Sequence, residues 1–123
     1  MKEIKTNKAP MAIGPYSQAI VTNNMVFTSG QIPVNPATGE IPAGIEAQAE
    51  QVFANLKNIL DASGSGIDKV IKTTVFIQNM SDFAAVNKIY ETYFTEPYPA
   101  RSCVEVAKLP KDVLIEVEAI AEI

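Results

Sequence analysis

Two short runs near the start of the chain mix apolar and polar residues on either side of an asparagine pair. The runs cover residues 17–22 (SQAIVT) and 25–29 (MVFTS), with Asn23 and Asn24 between them. Strand-like runs joined by two turn-forming residues are typical of a β-hairpin. The next segment, residues 30–44, contains three prolines and three glycines, so it is predicted to form a loop.

Two later segments repeat their apolar residues every three or four positions, as an amphipathic helix does. The first begins at Ile45 and is stopped by the glycine-rich residues 64–66 (GSG). In the second, Ser81 is predicted to cap the helix with its hydroxyl group. The apolar stripe of this second helix consists of Phe83, Val86, Tyr90, Tyr93 and Phe94.

Residues 70–77, 100–106 and 113–121 are rich in β-branched or alternating residues and are predicted to be strands. Residues 2–6 give a weaker signal for another short strand. Two strand–helix–strand crossovers in succession should both be right-handed, which places both helices on one face of the sheet if they advance in the same direction. The expected fold class is therefore α+β.

The predicted last strand has one apolar face and one mixed face. The apolar face suits a position under the helices: Val113, Ile115, Val117, Ala119 and Ala121. The other face is too apolar for a plain solvent face: Leu114, Glu116, Glu118 and Ile120. Residues 70–77 are expected to be similar, with Val70 and Phe76 flanking Lys72 and Thr74. Apolar flanks around a polar centre indicate an interface that encloses a site.

The composition predicts one cytoplasmic domain that covers residues 1–123. A chain of this length falls within the size of one domain. Ten basic and fourteen acidic residues give a net charge of −4, and the absence of a Lys/Arg run argues against nucleic acid as a main partner. Neither a signal peptide nor the roughly 18 apolar residues of a membrane helix can be found. The lone Cys103 excludes a disulfide within the chain.

The chain contains no histidine. This removes Ser-His-Asp and Cys-His catalysis and the usual zinc sites, and no metal site is expected. A general base must then be a carboxylate, a shifted Lys or Cys, or a positioned water.

Strand 100–106 places Arg101, Cys103 and Glu105 on one face. A guanidinium matches a carboxylate bidentately, so Arg101 could anchor a small organic acid, although an exposed Arg paired with a Glu fits the pattern as well. With no histidine to activate it, Cys103 fits a small buried residue better than a nucleophile.

Glu116 is a candidate base because apolar residues flank it, but the pattern alone does not separate it from Glu118. Asn87 lies in the apolar stripe of the second helix, where its amide needs a partner within the fold or a ligand. Tyr16 and Ser29 lie at the ends of the early strands, where a site and ordinary turn packing are both open.

Several stretches of the chain resemble the RidA family, and together they cover nearly all of it. They are IGPYSQA (13–19), TSGQIPVNPATGE (28–40), KTTVFI (72–77), FAAVNKIYETYF (83–94), ARSCVEVA (100–107) and LPKD (109–112), followed by a strand that carries Glu116. One departure is the segment Thr95–Pro99 (TEPYP), which is shorter than the one many members place before the arginine.

The resemblance implies a fold similar to Bacillus chorismate mutase, with a mixed β-sheet and two helices on one face. Three subunits would pack their sheets into a central β-barrel-like core of a homotrimer. It also puts the last strand in the middle of the sheet and residues 100–106 at an edge, which replaces a simple hairpin of these two strands.

The resemblance further implies hydrolysis of reactive 2-imino acids, 2-iminobutanoate and 2-iminopropanoate, to 2-keto acids and ammonia without a cofactor. Arg101 would clamp the substrate carboxylate and Glu116 would polarise the attacking water, while Cys103 would contribute position and backbone polarity. Four residues would line the pocket: Tyr16, Ser29, Gly30 and Asn87.

Two other functions are compatible with parts of the pattern. A non-catalytic trimer could use the same arginine to bind small carboxylates or a regulatory partner protein. Glu116 argues against this function, since a carboxylate binder gains nothing from a second negative group beside its ligand. RNA cleavage or translation inhibition has also been attached to the family, but the acidic balance and the missing histidine argue against it.

Overall fold

A computed structural model describes all 123 residues and contains one six-stranded sheet and two helices. The strands are β1 (Lys2–Ile4), β2 (Ala19–Thr22), β3 (Met25–Thr28), β4 (Val70–Ile77), β5 (Ala100–Glu105) and β6 (Ile115–Glu122). The helices are α1 (Ile45–Ala62) and α2 (Phe83–Tyr93). The α+β class, the loop over 30–44 and the predicted order of elements are confirmed. Neither helix is long and apolar enough to cross a membrane.

The strands lie in the order β1-β2-β3-β6-β4-β5. β6 is antiparallel to both of its neighbours, whereas β5 is parallel to β4 and forms one edge. The last strand is thus central and no β5–β6 hairpin forms, as the resemblance implies. An isolated bridge between Gln31 and Val117 ties the start of the long loop to β6.

Both helices cover the same face of the sheet. The inward residues of β6, from Ile115 to Ala121, are almost completely buried, and so is the α1 stripe around Phe53. Tyr90 of α2 reaches the same face, because its hydroxyl bonds to Thr73 of β4. The predicted apolar face of β6 is therefore confirmed as the core face.

The other face of the sheet has no covering layer. Phe27, Ile71 and Val104 are each about two-fifths exposed there or at its margin, beside the exposed Lys72 and Glu118. An exposed apolar face of this kind is a candidate contact surface.

Two local predictions are wrong. Val70 belongs to the core face, because a β-bulge at Ile71 shifts the register and pairs Val70 with Ala121. Ser81 does not cap α2, because it lies inside a 3₁₀ turn that runs directly into the helix and no side chain caps it. The turn is fixed instead by the Met80 amide, which donates to Glu105 on β5.

Buried amides of α1 hold the long loop in place. Asn55, which is fully buried, donates through Nδ2 to the carbonyls of Ile32 and Val34 at 3.1 and 2.9 Å. Gln48 accepts a hydrogen bond from the Leu114 amide just before β6. These bonds fix the loop that begins at Gly30 against β6, where Glu116 lies.

Candidate active site

Arg101 is the sole arginine of the chain and lies in a cradle formed by α2. Its Nη1 donates to Oδ1 of Asn87 at 2.8 Å. Its Cζ lies 5.3 Å from the ring centroid of Phe83 and 4.8 Å from that of Tyr90, within the range of cation–π attraction. The partner that the amide of Asn87 requires is thus the guanidinium itself.

No carboxylate neutralises Arg101. The ion pairs of the chain all involve lysine and lie elsewhere: Glu3–Lys5, Lys57–Asp61 and Lys108–Asp112. The guanidinium faces a cleft of about 440 Å³ that Tyr98, Pro99 and Glu91 also line, and Glu91 forms no ion pair with it. The alternative of an ordinary surface ion pair is therefore wrong, and most N–H groups of Arg101 remain free for a ligand.

Cys103 follows Arg101 on the same face of β5, because its register partner is the buried Val75. Burial raises the pKa of its thiol, and the positive charge of Arg101 offsets only part of that rise. The thiol is therefore protonated at neutral pH and has no adjacent base, which does not favour a nucleophilic role.

Glu116 lies on the uncovered face of β6, directly over Gly30. A Cβ atom added to Gly30 would clash with Oε2 of Glu116, so glycine is the residue that leaves room for the carboxylate. Burial raises the pKa of Glu116, and the nearby Glu118 raises it further. Since Glu118 is exposed whereas Glu116 is partly buried, the structure separates two residues that the pattern could not.

Tyr16 and Ser29 lie beside Gly30. The Ser29 hydroxyl donates to the carbonyl of Ser17, and the half-exposed Tyr16 lines a cleft of about 300 Å³ together with Gly30 and Lys111. Ser29 thus has a structural hydrogen bond, whereas Tyr16 offers a ring and a hydroxyl group to the cleft.

The clash at Gly30 gives a first testable prediction. Gly30→Ala should leave the free energy of unfolding almost unchanged, because the group that must move is the flexible end of Glu116 rather than backbone. The imine hydrolysis that the family resemblance implies should slow about tenfold or more, because the carboxylate is displaced from its position. Thermal unfolding and turnover check this, with Gly66→Ala as the control, because an added Cβ atom there would likewise press only on a flexible carboxylate, that of Asp68. Full activity would contradict a role for this fit.

The candidate residues of one chain form two groups on opposite faces of the sheet. Arg101 and Cys103 pair with Thr73 and Val75, which lie on the helix-covered face. Glu116 pairs with Phe76, which points the other way. A single chain therefore does not bring its guanidinium and its carboxylate together.

The sequence interpretation missed the aromatic half of the cradle. The pattern predicts only an apolar stripe that contains Phe83 and Tyr90, although their spacing around Asn87 already places all three on one helix face. No group of three or more Cys, Asp or Glu side chains lies close enough together to hold a metal ion.

The fold and site define an α+β protein with an unpaired guanidinium in one cleft and a desolvated carboxylate over a glycine. A family model described as Endoribonuclease L-PSP matches residues 6–123. The chain is 58% identical over 123 residues to the 2-iminobutanoate/2-iminopropanoate deaminase of Escherichia coli (strain K12), covering 98% of this chain and 96% of that protein.

Solved structures agree with this assignment. RidA from the Antarctic bacterium Psychrobacter superposes with a TM-score of 0.97 at 46% identity and full coverage of both chains. E. coli TdcF with bound serine gives a TM-score of 0.96 at 52% identity, covering 100% of this chain and 99% of that one. The chain belongs to the Endoribonuclease L-PSP family, which includes RidA.

Proposed function

We propose that this protein hydrolyses reactive 2-imino acids, such as 2-iminobutanoate and 2-iminopropanoate, to 2-keto acids and ammonia. The observation that carries the proposal is the unpaired Arg101 guanidinium, held by Asn87 and two aromatic rings in an open cleft. Such a group suits the carboxylate that these substrates share. The name of the E. coli relative supports this activity.

Glu116 suits the chemical step. A protonated imine is already electrophilic, so an oriented water and a carboxylate base are sufficient. Glu116 takes one proton of the water as its oxygen bonds to the imine carbon, which gives a carbinolamine. The same proton passes to the amino nitrogen, and Glu116 then takes the hydroxyl proton of the carbinolamine as the C–N bond breaks and the C=O bond forms. Keto acid and ammonia leave, and Glu116 returns its proton to solvent. Cys103 and Tyr16 line the site without exchanging protons.

The proposal includes a trimer in which each site lies between two chains. Support comes from the opposite faces that Arg101 and Glu116 occupy, and from the uncovered apolar face of the sheet. Three-fold closure would bury Phe27 and Val104 in a barrel-like core. Each chain would contribute one domain, residues 1–123, to a cytoplasmic trimer, and the pocket would also include Ser29, Gly30 and Asn87.

A coupled assay tests the function. Threonine dehydratase generates 2-iminobutanoate in place, and the appearance of 2-oxobutanoate is timed with and without this protein. Acceleration in proportion to its concentration is expected. Binding of 2-oxobutanoate without acceleration would instead indicate a non-catalytic carboxylate binder. RNA binding that weakens steeply with salt would instead favour the ribonuclease function that the description of the family model suggests.

The pH dependence of turnover follows from Glu116. The base must be ionised, and its pKa is raised above the ordinary value of 4.5 by burial and by Glu118. Turnover should therefore fall as the pH drops through a pKa above that value. Glu118→Gln removes one of the two causes and should move this acid limb to lower pH. A pH profile of kcat/KM measures the pH at which this acid limb falls.

Glu122→Gln, on the same strand, is the matched control and should leave the limb in place. An unchanged limb in Glu118→Gln would show that Glu116 does not set the acid side of the profile.

A further inference from the structure

Tyr90 is held in place by contacts with its aromatic ring and with its hydroxyl group. Its side chain is 5% exposed, and its hydroxyl lies 2.8 Å from Oγ1 of Thr73. The ring of Phe94 packs 4.4 Å from its ring, and Phe53 meets it edge-on at 5.6 Å. Its plane is therefore determined by three neighbours, and Arg101 lies over it at 4.8 Å.

The partner of this hydroxyl lies at the position of the sheet that also carries Arg101. Thr73 and Arg101 are register partners across the parallel strands β4 and β5. Thr73 is fully buried, so its hydroxyl group needs a partner, and Tyr90 supplies it. This hydrogen bond thus fixes the ring of Tyr90 relative to the position on β5 that carries Arg101.

The cradle leaves one part of the guanidinium free. Phe83, Asn87 and Tyr90 follow each other on one face of α2 and present a ring, an amide and a second ring. Burial raises the pKa of Tyr90, so its ring is neutral and attracts the cation through its π face and not as an anion. The positive charge stays available for a substrate.

We propose that Tyr90, held by Thr73, is a positioning residue that sets the plane of the Arg101 guanidinium for a carboxylate substrate; this rests on the proposed function. A bidentate pair requires the fork of the guanidinium to face the carboxylate plane. A flexible arginine on an edge strand would lose this alignment in most of its rotamers. The ring and its hydroxyl lock restrict the rotamers before substrate binds.

Three variants test the role. Tyr90→Leu removes the ring face. The double variant Thr73→Val/Tyr90→Phe removes both buried hydroxyl groups while it keeps shape and ring, which is nearly neutral for stability. Tyr93→Phe is the control, because it removes a tyrosine hydroxyl from the same helix, bonded to Glu50, without a contact to Arg101.

The kinetic readout separates positioning from chemistry. Tyr90→Leu should raise KM for 2-iminobutanoate about tenfold with kcat within about threefold of wild type, because the carboxylate contact is common to ground and transition states. The double variant should raise KM by about threefold. Tyr93→Phe should leave both constants unchanged.

A second readout does not depend on activity. Because Arg101 is the sole arginine, its Nε–H group gives one arginine side-chain signal in a ¹⁵N NMR spectrum. This signal should carry a ring-current shift that is lost in Tyr90→Leu, retained in Tyr93→Phe and broadened in the double variant. Titration with 2-oxobutanoate should show weaker binding by Tyr90→Leu.

The outcomes distinguish the two proposals. A wild-type KM and an unmoved Arg101 signal in the double variant would overturn the hydroxyl lock, and the same result in Tyr90→Leu would overturn the positioning role altogether. If Tyr90→Leu does not fold, Tyr90→Met, which also lacks the ring, replaces it in both measurements. A wild-type protein without imine turnover contradicts the proposed function, whereas the NMR signal and the keto-acid titration still test the inference.

Discussion

Arg101→Ala is expected to reduce imine hydrolysis by at least about thirtyfold while the protein stays folded. The variant loses the charge pair between Arg101 and the substrate carboxylate in a partly desolvated cleft. Loss of such a pair costs about 2–5 kcal/mol, on the order of thirtyfold to several thousandfold in kcat/KM. The fold should survive, because Arg101 starts from the edge strand β5 and forms no ion pair within the chain. Turnover in the coupled assay and thermal unfolding measure the two effects separately.

Arg101→Lys distinguishes the shape of the group from its charge. An ammonium group keeps the positive charge but cannot present two parallel N–H donors, so this variant should also be poor. Lys57→Ala, which removes a cation from an exposed pair on α1, is the control and should keep full activity. Wild-type turnover in Arg101→Ala would remove the carboxylate clamp from the proposal.

The periodicity of apolar residues predicted those helices and strands in which the apolar residues form the buried face. The α1 stripe and the apolar face of β6 could be read directly, because each repeats with the period of its element. The bulge at Ile71 could not, since one inserted residue leaves the β-branched composition unchanged while it moves Val70 to the core. The predicted Ser81 cap is wrong because the turn that replaces it depends on Glu105, which is distant in sequence.

The site depends on contacts that no local pattern contains. From the residues alone, Arg101 could have been a surface ion pair, and only the parallel pairing of β5 with β4 brings it under α2. The family resemblance supplied the roles of Arg101 and Glu116, which remain proposals. It did not supply the physical reasons for their environment: the rings around the guanidinium and the close fit of Gly30 to Glu116.

Glu116→Gln preserves the shape of the side chain and removes its charge, so it tests base catalysis apart from packing. Turnover should fall about a hundredfold or more, which is the usual contribution of a positioned base. Binding of 2-oxobutanoate should remain near normal, because Arg101 is intact. If turnover survives and only binding weakens, Glu116 is a wall of the pocket and not its base.

The combination of the two inactive variants tests the shared site. In a trimer whose sites each take Arg101 from one chain and Glu116 from the next, equal amounts of Arg101→Ala and Glu116→Gln subunits, fully exchanged, should restore about one quarter of the sites. A site needs an intact arginine from one parent and an intact glutamate from the other, each present with a chance of about one half.

If both residues came from the same chain, no mixture would recover activity, because every chain carries one defect. Recovery should follow the rate of subunit exchange, and a mixture of Arg101→Ala/Glu116→Gln subunits with Arg101→Ala subunits should stay inactive. A monomer in light scattering, or no recovery after verified exchange, would contradict the shared site, because the opposite faces of Arg101 and Glu116 would then have to be joined within one chain.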